Sequence, residues 1–188
     1  IPLPELIKII PDAPQVVINA AAKLKTNSMF VVNIGVNRPN ITDKNWIYYL
    51  EKEFSFVRVS FPFNQSDNVA PEGTSSISAE IAYGNDNPLP AHKENLADLV
   101  VEDLISANVI NASDEIIYID TVDIKYAYVI FDNERKAAIK IIHDYLKKFD
   151  IIPFGRYGIW AYLWSDEAML SGKKVAEGFS KNKTLNPD

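Results

Sequence analysis

Arginine is scarce in this sequence: of 19 basic residues only Arg38, Arg58, Arg135 and Arg156 are arginines. Arg58 ends the run DKNWIYYLEKEFSFVR, which begins at Asp43. The charged triplet Glu51-Lys52-Glu53 reads as the turn of a β-hairpin. If that turn sets the register, Leu50 faces Phe56, Tyr48 faces Arg58 and Trp46 faces Ser60. All six then share one face, because strand side chains alternate with period two. A guanidinium held in mid-strand between Val57 and Val59, beside two aromatics, suits a phosphate or carboxylate whose two oxygens match its fork. The alternative is an arginine paired with a carboxylate of the core.

A second constellation is Gly155-Arg156-Tyr157-Gly158-Ile159-Trp160-Ala161-Tyr162. Two glycines around an arginine indicate backbone brought close to something, because they remove side-chain bulk. A helix follows at Ser165, with Asp166 and Glu167 in its first turn, where negative charge opposes the helix dipole. A loop that runs into a helix N-terminus suits negative charge, since the first amides there are unbonded. Tight packing is the competing explanation of the same glycines.

The elements that must position these groups follow from periodicity. Pro2, Pro4, Pro11 and Pro14 break the first stretch into short pieces, with a helix expected from about Gln15 to Lys25. Phe30, Val32, Ile34 and Val36 alternate with small or polar residues, which predicts a strand with one oily face. Asn45 to Leu50 and Phe56 to Phe61 give the hairpin strands. Ile77, Ala79, Ile81 and Tyr83 alternate again, and Glu115 to Phe131 is β-prone, enough for one strand or two. A helix places Leu96, Leu99, Val100 and Leu104 on one face. Another, capped by Asn133, places Ala138, Ile141, Ile142 and Tyr145 together. The pattern predicts an α+β fold: a mostly antiparallel, mixed sheet with flanking helices.

Composition narrows the chemistry. At 188 residues, 47% of them hydrophobic, the chain can bury a core of its own. It contains no cysteine, which excludes disulfides, thiolate metal sites and cysteine nucleophiles. That absence suits a reducing, cytoplasmic setting. A net charge of -6 with scattered basic residues argues against nucleic-acid binding. No apolar run reaches the roughly 18 residues of a spanning helix. His92 and His143 stand apart from the other polar candidates, Ser75-Ser76 lacks a nucleophile-elbow context, and no metal-ligand spacing occurs. Glu72 and Glu80 could form a carboxylate pair, but nothing in the sequence sets their separation.

The stretch GRYGIWAYLWSDEAMLSGKKVAE, from Gly155, resembles the closing segment of FAD-dependent amine oxidases and protoporphyrinogen-oxidase-like proteins. Together with DKNWIYYLEKEFSFVR it resembles, more narrowly, UDP-galactopyranose mutase and its relatives, over roughly Val31 to Val175. The resemblance implies the substrate domain of a two-domain FAD protein, with residues 1–150 binding substrate and 151–188 completing the flavin domain. It implies that Arg58 binds a substrate diphosphate beside Trp46 and Tyr48, that Tyr128 and Tyr162 touch the same group, and that Arg156 stands catalytically beside flavin and sugar. Gly155 and Gly158, with the amides of Asp166, Glu167, Ala168 and Met169, would face the flavin. The substrate implied is anionic, a UDP-sugar rearranged without net redox change. An oxidase passing hydride to FAD, or a non-catalytic phosphate-binding module, are the alternatives. The mutases follow their W-x-Y with an Asn and a His; here Leu163, Trp164, Ser165 and Asp166 stand there, a departure that bears on the sugar rather than the flavin. No G-x-G-x-x-G follows a strand, and the chain opens Ile1-Pro2-Leu3-Pro4 without Met. The expectation is therefore a C-terminal portion lacking the nucleotide-gripping half, which does not retain FAD alone and dimerises through a face exposed by truncation.

Overall fold

The alternation at Phe30 marks a strand longer than the apolar pattern itself. In the structure, a computed structural model describing residues 1–185, β1 spans Thr26–Val36, with Phe30, Val32, Ile34 and Val36 buried. It pairs antiparallel with β4 (Ser75–Tyr83), Ile34 opposite Ile77 and Val32 opposite Ala79. The hairpin is β2 (Trp46–Tyr48) and β3 (Arg58–Ser60), shorter than its apolar pattern suggested. The β-prone stretch from Glu115 forms one strand, β5 (Ile116–Val129). The sheet order is β2-β3-β4-β1-β5. Asn37 N–H donates to Glu115 O and Ile130 N–H to Lys25 O, each at 2.9 Å, so β5 also runs antiparallel to β1. The expected α+β class, antiparallel in its sheet, is what the chain adopts.

One face of the sheet is oily because alternate residues are. Val59, Ile77, Ala79 and Ile81 join the β1 residues, and α3 (Leu96–Ser106) contributes Leu96, Val100 and Leu104. Burying each large side chain contributes roughly 1.5–3 kcal/mol. Period two then forces the alternate residues, Asn33, Gly35, Ser76, Ser78, Glu80, Arg58 and Ser60, onto the other face.

The chain forms two compact units, Asn27–Ala127 and Ile1–Thr26 together with the chain from Tyr128 onward. The first holds nearly all of the sheet and α3. The second holds α1 (Leu3–Ile9), α2 (Gln15–Ala22), α4 (Arg135–Leu146), α5 (Gly155–Gly158) and α6 (Ser165–Leu185). Helix α2 stops at Ala22, short of the expected Lys25, as the chain turns into β1. The cap of α4 is not Asn133 but Asp132, whose carboxylate accepts the N–H of Glu134 at 3.2 Å and of Arg135 at 3.0 Å. A carboxylate there meets the positive end of the helix and satisfies two unbonded amides at once.

Candidate functional site

On the polar face of the sheet the residues form a grid. Tyr48 lies opposite Arg58, which lies opposite Glu80; Trp46 lies opposite Ser60, then Ser78, then Asn33. The hairpin register read from the Glu51-Lys52-Glu53 turn is the one observed at Trp46–Ser60 and Tyr48–Arg58, but the expected third pair does not form: Leu50 is exposed while Phe56 is buried in the core with Val59, so the six residues do not share one face. Trp46 and Tyr48 are exposed, and the Arg58 guanidinium carbon lies 6.0 Å from the Tyr48 ring centroid. Arg58 forms an ion pair with Glu80, the two side chains 29% and 14% exposed. The sequence offered Arg58 either an anionic ligand or a carboxylate of the protein, and the carboxylate is present. Period two on β4 put Glu80 opposite the oily face, but only the pairing of β3 with β4 puts it beside Arg58. Along the next row, Ser60 Oγ donates to Ser78 O at 3.2 Å and Ser78 Oγ to Asn33 Oδ1 at 2.9 Å.

The second constellation lies in the other unit. Gly155-Arg156-Tyr157-Gly158 is not a loop but the single helical turn α5. Its glycines answer to separate constraints. Gly155 has a φ of +70°, where a side chain is strained, and nothing lies within 4 Å of where its Cβ would stand. At Gly158 a Cβ would come within 3.2 Å of the Pro153 carbonyl carbon, so close packing within the chain explains that glycine. The Gly155 N–H donates to Ser171 Oγ of α6 at 2.8 Å, and His143 Nε2 lies 2.9 Å from Gly158 O.

Arg156 is held by the chain. It donates to Leu163 O from Nε at 3.1 Å and Nη2 at 2.6 Å, and its guanidinium lies 5.4 Å from the Tyr128 ring centroid. Tyr162, 54% exposed, stacks on Phe131 with centroids 4.7 Å apart and lies 6.3 Å from Tyr128. Arg135 completes the row, 4.0 Å from the Phe131 centroid while its Nε donates to Trp160 O at 2.6 Å. Tyr128, Tyr162 and Arg156 are thus brought together, and the structure adds Phe131 and Arg135, which sequence reasoning missed. Arg135 was one of only four arginines, the one signal that could have raised it.

At the start of α6 no side chain among the described residues caps the amides of residues 165–167. Glu167 instead folds its carboxylate back to accept the Trp164 N–H at 2.8 Å. The Ala168 amide is engaged with Trp164 O at 2.9 Å, and that of Met169 falls within the helical ladder. The positive end of this helix is therefore carried by Ser165, Asp166 and Glu167, and the carboxylates of Asp166 and Glu167 offset part of it. Among the described residues no group of three or more His, Asp or Glu could hold a metal, and no helix is long and apolar enough to cross a membrane.

Among solved structures, a UDP-galactopyranose mutase in its reduced form matches 86% of this chain and 35% of that chain, with a TM-score of 0.78 and 21% identity. A candidate protoporphyrinogen oxidase from Exiguobacterium sp. 255-15 matches 97% of this chain and 40% of that chain, with a TM-score of 0.74 and 15% identity. No protein-family model matches the sequence. At these identities the likeness is one of fold: an antiparallel sheet with flanking helices is common to all three. The chain spans 35% and 40% of the length of these two proteins.

Proposed function

We propose that this chain is the substrate-binding sheet and flavin-facing helical segment of an FAD-dependent protein acting on a nucleotide sugar, as the name UDP-galactopyranose mutase implies for its structural neighbour. The observation that carries the reading is the hairpin face, where Trp46, Tyr48 and Arg58 share one side of a sheet whose fold matches that mutase. On this reading Arg58 binds the diphosphate through its planar fork while Trp46 and Tyr48 offer ring faces to the ligand. Tyr128 and Tyr162 supply phenol hydroxyls to phosphate in their own unit.

The segment from Gly155 to Met169 suits a flat, electron-accepting ring in two respects. Nothing lies within 4 Å of a Cβ position at Gly155, so a ring can approach that backbone. The uncapped amides of residues 165–167 present positive potential. FAD, when bound, supplies the reactive ring. The chain's own residues orient the substrate phosphates, and Arg156 with the start of α6 sets the potential felt by that ring.

The test is calorimetric titration of the chain with UDP, comparing wild type with Arg58→Lys. An ammonium cannot reproduce a bidentate fork. The expected loss is about 1.5–3 kcal/mol, the range for hydrogen bonds to charged groups, or roughly 10- to 150-fold in Kd. Unchanged UDP affinity in a folded Arg58→Lys variant would return Arg58 to a purely structural partnership with Glu80.

A further inference from the structure

The two edges of the sheet differ in length. β2 forms one edge with three residues, too short to template much pairing, whereas β5 forms the other with fourteen. The inner side of β5 is filled by β1, so closely that a Cβ on Gly35 would stand 3.0 Å from the Tyr118 Cβ. No strand lies beyond its outer side among the described residues. Residues 117–125 are exposed without a break, although Ile117, Tyr118, Ile119, Val122 and Ile124 are among them. Native edges are ordinarily guarded by proline, lysine or a covering element. This run contains no proline, and its charged residues are Asp120, Asp123 and Lys125.

An open edge of this kind accepts a further strand, because main-chain amides and carbonyls that face outward there are ready to extend the ladder. The side chains narrow the choice of strand to β5 itself. Two copies related by a two-fold axis normal to the sheet run antiparallel, and residues opposite each other share a face. The axis therefore passes through one residue position and sets that residue against its own copy. An axis at Asp120 or Asp123 puts like charges directly opposite. One at Ile119 sets Asp123 against Glu115, with the same fault. One at Val122 or Ile124 carries the pairing onto Ala127, which the chain itself already buries. An axis at Thr121 avoids all of these.

With Thr121 on the axis, the exposed run from 117 to 125 pairs with itself from end to end. Thr121 meets Thr121 of the second copy, a pair able to share a hydroxyl hydrogen bond, and Tyr118 meets Ile124, an aromatic against a β-branched residue. Asp120 meets Val122 and Asp123 meets Ile119, so no like charges stand opposite each other. Asp123 is also compensated within its own copy, by an ion pair with Lys93 and the Tyr83 hydroxyl. The two Asp120 carboxylates are diagonal neighbours roughly 7–8 Å apart, a repulsion that keeps the association weak and that salt relieves. Because the opposite edge of the sheet is only three residues long, association closes at two copies instead of running on into a fibre.

We propose that this chain self-associates as a two-fold dimer through β5, the two edges pairing antiparallel about Thr121 and joining two five-stranded sheets into one. The surface goes beyond the nucleotide-sugar reading, since β4 and β1 separate β5 from Arg58 on β3, and UDP binding is scored independently of it. Sedimentation velocity of the full chain, from about 1 µM to about 1 mM, should show a monomer–dimer equilibrium with a Kd of about 10–100 µM, as suits an interface at the small end of the specific range. Thr121→Lys sets two ammonium groups against each other on the axis and should weaken the dimer by about tenfold or more. The sequence has no cysteine, so Thr121→Cys carries a single thiol. Opposite residues of antiparallel strands have Cα atoms about 4.5–5.5 Å apart, within the span of a disulfide. Under the thiol oxidant diamide, Thr121→Cys should therefore cross-link into dimers much faster than Leu50→Cys, whose thiol stands on the exposed hairpin turn. That readout holds even should Thr121→Lys misfold. Three outcomes overturn the proposal: a chain that stays monomeric at about 1 mM, which assigns the edge to some other strand; a folded Thr121→Lys variant that dimerises as wild type does; or Thr121→Cys cross-linking no faster than Leu50→Cys.

Discussion

Replacing Glu80 by glutamine removes one negative charge from the polar face while keeping the length of the side chain and an acceptor for Arg58. The two residues are opposite on β3 and β4 and form an ion pair that is partly shielded from water. Two unit charges about 4 Å apart interact by about 4 kcal/mol at an effective dielectric of ~20. The residual exposure of Arg58 and the desolvation of both groups reduce this, and the amide keeps a hydrogen bond to the guanidinium, so a stability loss of about 1 kcal/mol is expected. The effect on an anionic ligand has the opposite sign. With bonds of roughly 2.8 Å on either side of the guanidinium, a phosphate on Arg58 has its charge about 7 Å from that of Glu80. At the same dielectric that repulsion is about 2.4 kcal/mol per unit charge, or about 1–2 kcal/mol after solvent screening. Glu80→Gln should therefore bind UDP roughly 5- to 30-fold more tightly than wild type at low salt, with the gain shrinking as salt is added. Calorimetry at two ionic strengths, beside urea denaturation, reads both effects. A folded Glu80→Gln variant with unchanged or weaker UDP affinity would refute the placement of the anion on Arg58.

Four further substitutions test the local interactions. Asp132→Ala removes the carboxylate that caps α4 and pairs with Lys25 at 3.2 Å, and should lower Tm by a few degrees in a thermal melt. Gly158→Ala should destabilise by about 1–3 kcal/mol, because the added methyl meets Pro153 backbone that cannot yield. Gly172→Ala, whose methyl meets only the half-exposed Phe154 ring at 3.2 Å, should be close to neutral in the same urea titration. The Lys93 ammonium, with the Tyr83 hydroxyl, holds the Asp123 carboxyl below the usual carboxylate range. Its contribution to stability is thus present above the unfolded carboxylate value and lost as pH falls through the lowered folded one. Asp123→Asn should accordingly flatten the acid limb of stability against pH, and an unaltered acid limb would show the cluster to be inert.

How much was legible beforehand depended on range. Alternation from Phe30 to Val36 and from Ile77 to Ile81 determined two strands and their buried faces, because period two is a property of the chain itself. The turn at Glu51-Lys52-Glu53 gave the pairing of Trp46 with Ser60 and of Tyr48 with Arg58, but not of Leu50 with Phe56, because the aromatic side chain of Phe56 is drawn into the core. Leu96, Val100 and Leu104 likewise announced the buried stripe of α3. The neighbours that complete each candidate site were decided elsewhere. Glu80 meets Arg58 only because β4 lies between β3 and β1, and Tyr118 reaches Gly35 only because β5 joins the outer side of β1. Arg156 bonds Leu163, and Tyr162 stacks on Phe131, through turns whose left-handed positions at Gly155 and Trp160 follow no period. Local periodicity and turn chemistry act within a few residues, so a sequence displays them directly. Strand order and the meeting of distant side chains are set by which closure of the whole chain buries the most apolar surface while satisfying its polar groups, and that choice is made only in the folded molecule.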